Sequence, residues 1–245
     1  MMNAPLLWAV IPVKRFTRAK QRLAPLLDAH ERAGLARAMF EDVLQVLAGC
    51  PFVAGTLVVT QDPEAAAIAR RAGAEVLADP PEAGLAEALR HAARTLAAAR
   101  CAGMLVVPAD LPQITSADIE LIALGHRRSP AVTLVAASSD GGTNALACSP
   151  PDAMPLLFGE DSFRCHRDAA LALGLAPKLL TLPRFGRDID RPDDLLACLD
   201  DRSSLRTHAY LAGSGIAHRL RQTRPHMPIR TAAHPTHSTR RDPTP

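Results

Sequence analysis

Short apolar runs of four to seven residues alternate with helical patterns from the N-terminus onward, and no other feature restricts the fold of this chain as tightly. Strands are expected at 7–13, 55–60, 74–78 and 103–107, with helices at about 29–48, 63–72 and 84–99 between them. Parallel strands need a crossover of a dozen or more residues, usually a helix. The rhythm therefore predicts a single α/β domain, Rossmann-like, with a mostly parallel central sheet and helices on both faces. The helix over 29–48 is the best defined. Asp28 followed by Glu31 makes a capping-box start, and Leu35, Met39, Val43, Val46 and Leu47 recur on one face. After Asp110 the pattern loosens. A helix at about 115–124, strands at 131–137 and 144–148, a helix at 163–173, a strand at 178–182 and a last helix at 192–199 read as a second half appended to the first.

Charge divides the chain differently. Residues 1–201 hold 20 Lys and Arg against 24 Asp and Glu, a net −4, whereas 202–245 hold 8 against 1, a net +7. The overall +3 thus belongs to the tail. A folded part without excess positive charge argues against nucleic acid as its partner, because phosphate-backbone affinity is built from clustered Lys and Arg. The tail is rich in Arg, His, Thr, Ser and Pro with no sustained period, which predicts a domain over 1–201 and a disordered basic extension over 202–245. The five cysteines are odd in number, widely spaced and free of any CxxC pair, as expected of reduced cytosolic thiols. The apolar run Ala4 to Val13 has its cations after it and reads as a buried first strand rather than a signal peptide. No apolar stretch approaches the roughly 20 residues of a membrane span. A cytoplasmic protein with no membrane partner is the expectation, and a homodimer is compatible with the sequence.

In an α/β sheet, ligands gather beyond the carboxyl ends of the strands. The loop after the first strand lacks the glycines of GxGxxG or a Walker motif, so side-chain cations must take the place of backbone amides against phosphate. Lys14, Arg15, Arg18, Lys20 and Arg22 supply five positive charges within nine residues. Asp110 closes the apolar run MLVVPAD, and Asp188 and Asp190 stand one residue apart in DID. Spaced i, i+2 on extended backbone, the latter two point the same way. Three aspartates converging would hold Mg2+ against an α-phosphate, although Asp190 also reads as a helix N-cap before Arg191-Pro192. GGTN at 141–144 and FGEDS at 158–162 offer Thr143, Asn144, Gly159 and Ser162, small groups able to bind phosphate or carboxylate, or simply to form tight turns. The pair Cys165–His166 looks like a nucleophile and its base, but neighbours on a helix face different ways. His166 is left as a candidate contact to an anionic substrate.

Six motifs in register, VIPVKxFxxAKxRL, ERAxLARAMxxDVL, LVVPADLP, GGTNAL, FGxxSFxxH and DIDxPxDL, resemble the 2-phospho-L-lactate guanylyltransferase family (CofC/FbiD type) of coenzyme F-420 biosynthesis over residues 6–200. The resemblance implies a compact nucleotidyltransferase fold. It also implies transfer of GMP from GTP, the co-substrate, to 2-phospho-L-lactate, phosphoenolpyruvate or 3-phospho-D-glycerate, with release of pyrophosphate. By that resemblance Thr143, Gly159 and Ser162 bind the phospho-acid, and Asp110, Asp188 and Asp190 bind Mg2+ as catalytic carboxylates. Lys14, Lys20, Arg18 and Arg22 hold the triphosphate, Lys20 also acting in catalysis. The family commonly has GLN where this chain has Gly84-Leu85-Ala86, so one amide toward the nucleotide is missing.

Three other readings compete. Another nucleotidyltransferase of the same fold, acting on molybdopterin or a sugar phosphate, would be expected to open with a glycine-rich LAGGxxxRMGxxK-type segment, and this chain has IPVKRFTRAK. A glycosyltransferase would use DID as its metal-binding DxD. A non-catalytic nucleotide-binding module has Ala86 as its only hint.

Overall fold

The structure, a computed structural model, describes residues 6–79, 84–137, 141–200 and 205–223. Its elements are β1 (Leu7–Val13), α1 (Ala29–Ala48), β2 (Val53–Thr60), α2 (Pro63–Arg71), β3 (Glu75–Ala78), α3 (Leu85–Ala98), β4 (Met104–Val106), α4 (Ser116–Ala123), β5 (Ala131–Ala136), β6 (Thr143–Ser149), α5 (Ser162–Ala172), β7 (Lys178–Leu180), α6 (Pro192–Asp200), α7 (Arg206–Gly213) and α8 (Ile216–Thr223). The seven strands form one sheet in the order β3-β2-β1-β4-β6-β5-β7. Only β6 runs against its neighbours β4 and β5; the other four pairings are parallel. The two halves suggested by the loosening pattern are thus one continuous sheet, with β6 inserted antiparallel between β4 and β5.

Alternation along β1 divides the core. Leu7, Ala9, Ile11 and Val13 pack with α1, α2 and α4 on one face, where Phe40 is wholly buried. Val10, on the opposite face of the strand, packs with α3, α5 and the inner side of β6. Side chains of successive strand residues point to opposite faces, and this requires a strand apolar on both. Helix α1 starts on the predicted capping box: Asp28 accepts the Glu31 N–H at 2.8 Å and Glu31 accepts the Asp28 N–H at 3.0 Å. Among the described residues no helix is long and apolar enough to cross a membrane.

The expectation of disorder from 202 onward is corrected over 205–223. Those residues form α7 and α8, which pack with α6 on the outer side of α1 against Leu35 and Met39. Three features hold them. Asp42, 3% exposed, accepts from the N–H groups of Arg206 and Thr207 at 2.8 and 2.9 Å and from the Thr207 hydroxyl at 2.6 Å, so a carboxylate of α1 caps α7. Gly34 leaves room for the Tyr210 ring, since a Cβ there would stand 2.3 Å from the phenol oxygen. Arg219 pairs with Glu31 at 2.9 Å. These contacts join residues more than 150 apart, and local periodicity carries no trace of them. The rest of the tail, 224–245, lies outside the described residues.

Candidate active site

A cavity of about 410 Å³ opens beyond the carboxyl ends of β1 and β4. From β1 the chain builds the sheet outward through β2 and β3, and β4 starts it on the other side, so the cavity sits where strand order reverses. Ala36 and Met39 of α1 and Leu85 and Leu89 of α3 form its apolar sides.

The loop after β1 makes one wall, with Lys14, Arg18 and Lys20 facing the cavity. It is two short 3-10 turns, Phe16–Arg18 and Gln21–Leu23, hinged at Lys20, whose φ of 53° and ψ of 41° are left-handed. A non-glycine residue there costs about 1–2 kcal/mol and persists only where its surroundings hold it. Here the holding comes from two places. The Phe16 N–H donates to Asp62 at 2.8 Å, and the Thr60 hydroxyl donates to the Val13 carbonyl at 2.8 Å, tying the loop to the end of β2. The Lys20 ammonium lies 2.5 Å from Asp110 and 3.7 Å from Asp190, its side chain only 7% exposed. Arg22 does not line the cavity and pairs with Asp190 at 2.6 Å.

The carboxylates therefore gather round Lys20. Among the described residues no group of three His, Cys, Asp or Glu side chains is arranged to hold a metal ion: Asp110 and Asp190 turn to Lys20. Asp188 is differently placed from the other two. It accepts from the Asn144 amide at 3.0 Å, and that amide also donates to the Phe185 carbonyl at 2.7 Å. Burial, reinforced by the neighbouring Asp110 charge, raises the Asp188 pKa above the usual carboxylate value. Asp188 and Asp110, the latter paired with Lys20, offer the oxygen donors that fit Mg2+, which commonly takes one or two protein carboxylates and completes its shell with water and substrate phosphates. Asp190, which faces two cations where Asp110 faces one, is less suited to this.

The opposite wall is neutral. Thr143 and Asn144, at the start of β6, face the cavity beside Phe158. Behind Thr143, its hydroxyl oxygen lies 3.0 Å from His166 Nδ1 and 3.2 Å from the Ser162 hydroxyl, while His166 Nε2 lies 2.8 Å from the Leu157 N–H. His166 is wholly buried, and that burial pushes its pKa down to about 4, so the ring is neutral. Phe158 stands edge-on to it with ring centroids 4.7 Å apart.

Of the residues singled out from sequence, Lys14, Arg18, Lys20, Asp110, Thr143, Asp188 and Asp190 line one cavity. Arg22, Gly159 and Ser162 do not line it. Ser162, 2% exposed, stands behind Thr143 and opens α5, which begins without a side-chain cap. His166, wholly buried, does not line the cavity, which removes it as a candidate for direct contact with substrate. Asp62 and Phe158 were not found from sequence. Asp62 is disguised as the N-cap of α2, a role it also fills through the N–H groups of Glu64 and Ala65.

The architecture is that of the nucleotidyltransferases. It superposes on a Desulfovibrio desulfuricans G20 protein assigned to the nucleotide-diphospho-sugar transferases with a TM-score of 0.71 at 18% identity, covering 88% of this chain and 96% of that one. A nucleotidyl transferase from Methanothermobacter thermautotroptrophicus matches with a TM-score of 0.57 at 21% identity, over 80% and 96%. Residues 7–227 match the family model for guanylyl transferase CofC-like proteins, and the chain belongs to that family. A phosphoenolpyruvate guanylyltransferase of Roseiflexus sp. (strain RS-1) is 42% identical over 77% of this chain and 82% of its own length. One from Conexibacter woesei is 38% identical over 89% and 98%. A 3-phospho-D-glycerate guanylyltransferase of Colwellia psychrerythraea is 36% identical over 76% and 88%. The protein is accordingly a nucleotidyltransferase enzyme.

Proposed function

We propose that the protein transfers GMP from GTP to a phosphorylated three-carbon acid, releasing pyrophosphate, in coenzyme F-420 biosynthesis, with phosphoenolpyruvate as the first acid to test. The observation that carries this is the pairing of a cationic wall with a neutral, hydroxyl-bearing wall across one cavity: the first suits a triphosphate, the second a small anion. Lys14, Arg18 and Lys20 hold the GTP phosphates. Thr143 donates its hydroxyl to the acid, and Gly159 and Ser162, at the segment leading into α5, are the further residues assigned to it.

A phosphate oxygen of the acid attacks the α-phosphorus of GTP in line. The new P–O bond forms as the bond from the α-phosphorus to the bridging oxygen breaks, and the electron pair leaves with pyrophosphate. The nucleophile is already an anion, so no general base is required, in keeping with a neutral, buried His166. Lys20 neutralises charge developing on the leaving group, and the rigid walls supply alignment. Asp110 and Asp188 are the residues to hold Mg2+, which when bound would screen the α-phosphate from an anionic nucleophile. Asp190 positions Lys20 and Arg22.

The test is pyrophosphate release with Mg2+ and GTP, with ATP and CTP in parallel, for phosphoenolpyruvate, 3-phospho-D-glycerate and 2-phospho-L-lactate separately, and mass spectrometry of the product. Release with GTP and one acid is expected. Silence with all three acids in folded protein would remove this reading. A 3-phosphoglycerate enzyme is the second reading, favoured by the match to the Colwellia protein.

A further inference from the structure

We propose that His166 is a positioning residue for the acid: held as the Nδ1–H tautomer, it keeps a hydroxyl proton at Thr143 turned into the cavity, so that the neutral wall takes an anionic oxygen in preference to a hydrogen-bond donor. This rests on the reading of Thr143 as an acid-binding residue.

The tautomer follows from geometry. A backbone N–H can only donate, so the Leu157 N–H at 2.8 Å makes His166 Nε2 an acceptor. A neutral ring then carries its proton on Nδ1, which donates to the Thr143 oxygen at 3.0 Å. Ser162 and His166, four residues apart, lie on one face of α5, and both reach the same oxygen. The two hydroxyls hold two protons and share one hydrogen bond between them. One proton is left over, and His166, already a donor there, cannot accept it. Of the two hydroxyls, Thr143 faces the cavity and Ser162 is buried behind it, so the spare proton leaves through Thr143. A hydroxyl that offers a proton and no lone pair recognises phosphate or carboxylate oxygen. The same ring ties down the segment bearing Phe158, so the donor and the apolar edge beside it are set together.

Two substitutions separate the ring's two bonds. In His166→Asn the amide nitrogen falls near the place of Nδ1 and still donates to Thr143. In His166→Gln the longer side chain reaches the Leu157 N–H with its oxygen and leaves Thr143 without its donor. We expect the KM for the acid to rise about tenfold or more in His166→Gln and by no more than about threefold in His166→Asn, with the KM for GTP unchanged in both. The double variant with Thr143→Val should be no worse than Thr143→Val alone. A merely structural histidine would raise both KM values together, or damage both variants alike, and either result overturns the inference. If Thr143→Val leaves the acid KM unchanged, the acid-binding reading itself fails. If Thr143→Val raises it and His166→Gln does not, only the role of His166 fails. Should neither histidine variant fold, 15N NMR of the unsubstituted protein decides: a ring protonated at Nδ1 is expected, and one protonated at Nε2 overturns the inference.

Discussion

In the proposed function the two walls of the cavity solve the same problem, holding an anion, by opposite means. The β1 loop uses formal charge: Lys14 and Arg18 are exposed, and Lys20 is the exception, its side chain enclosed and paired with Asp110 and Asp190. The β6–α5 wall uses no charge at all, only hydroxyls whose direction is set by a buried neutral ring. Charge acts at a distance and tolerates a mobile, solvated ligand such as a triphosphate. A single oriented hydroxyl acts only in contact and therefore discriminates. The difference teaches where turnover and where selectivity should be lost when each wall is damaged.

The largest effect should come from the charged wall. Lys20→Met is expected to lower kcat/KM by about 10²–10³, the scale of removing one preorganised electrostatic group. A loss below tenfold in a pyrophosphate-release assay would break the contrast, because the cationic loop would then act only as a diffuse field.

Asp42→Ala, remote from both walls, should cost about 1.5–3 kcal/mol of stability through the three donors it strands at the start of α7. Urea unfolding measures it. Because Met39 touches both the cavity and the packing beneath α7, an accompanying rise in both KM values would show that the C-terminal helices support the site. Thr143→Val should then raise the KM for the acid about tenfold while sparing GTP, sharpening the division of labour. Equal effects on both substrates would erase it.

The smallest effects are those of pH on stability. Burial lowers the pKa of His166, and of His126 where it bonds Thr133 of β5 and Ser149 of β6, to about 4. The unfolded chain therefore takes up protons below about pH 6.5 that the folded chain refuses, and the stabilisation present at neutral pH is lost as pH falls from about 6.5 toward 4. Asp188 has the opposite sign. Its raised pKa gives a contribution that is present below pH 3.8 and lost as pH rises through the folded value. Asp188→Asn should consequently raise the urea midpoint at neutral pH while removing activity, and the advantage should vanish below about pH 3.8. An unchanged midpoint would mean that Asp188 is not a strained carboxylate in the free enzyme.

The strands and helices up to α6 were legible in the sequence because their signals are local: a period of two or 3.6, the Asp28–Glu31 box, a glycine or proline at a boundary. The charged wall was legible for a related reason. Five cations within nine residues stand out in the linear string, although only the structure shows that Lys14, Arg18 and Lys20 line a cavity, that Arg22 turns to Asp190 and that Lys20 stands among the aspartates. Asp62 could be read as a helix cap but not as the anchor of Phe16, 46 residues away.

What the sequence determined by itself was the α/β alternation, the composition of the cavity's charged wall and the family to which the motifs point. What only the tertiary structure decided was the direction of hydrogen bonds and the partners of ions: the His166 tautomer, the gathering of carboxylates round Lys20, and the folding of 205–223 onto α1. Periodicity and charge density are properties of neighbouring residues and survive in a one-dimensional string. A proton's direction or a carboxylate's partner is settled by groups that meet only after the chain has closed on itself.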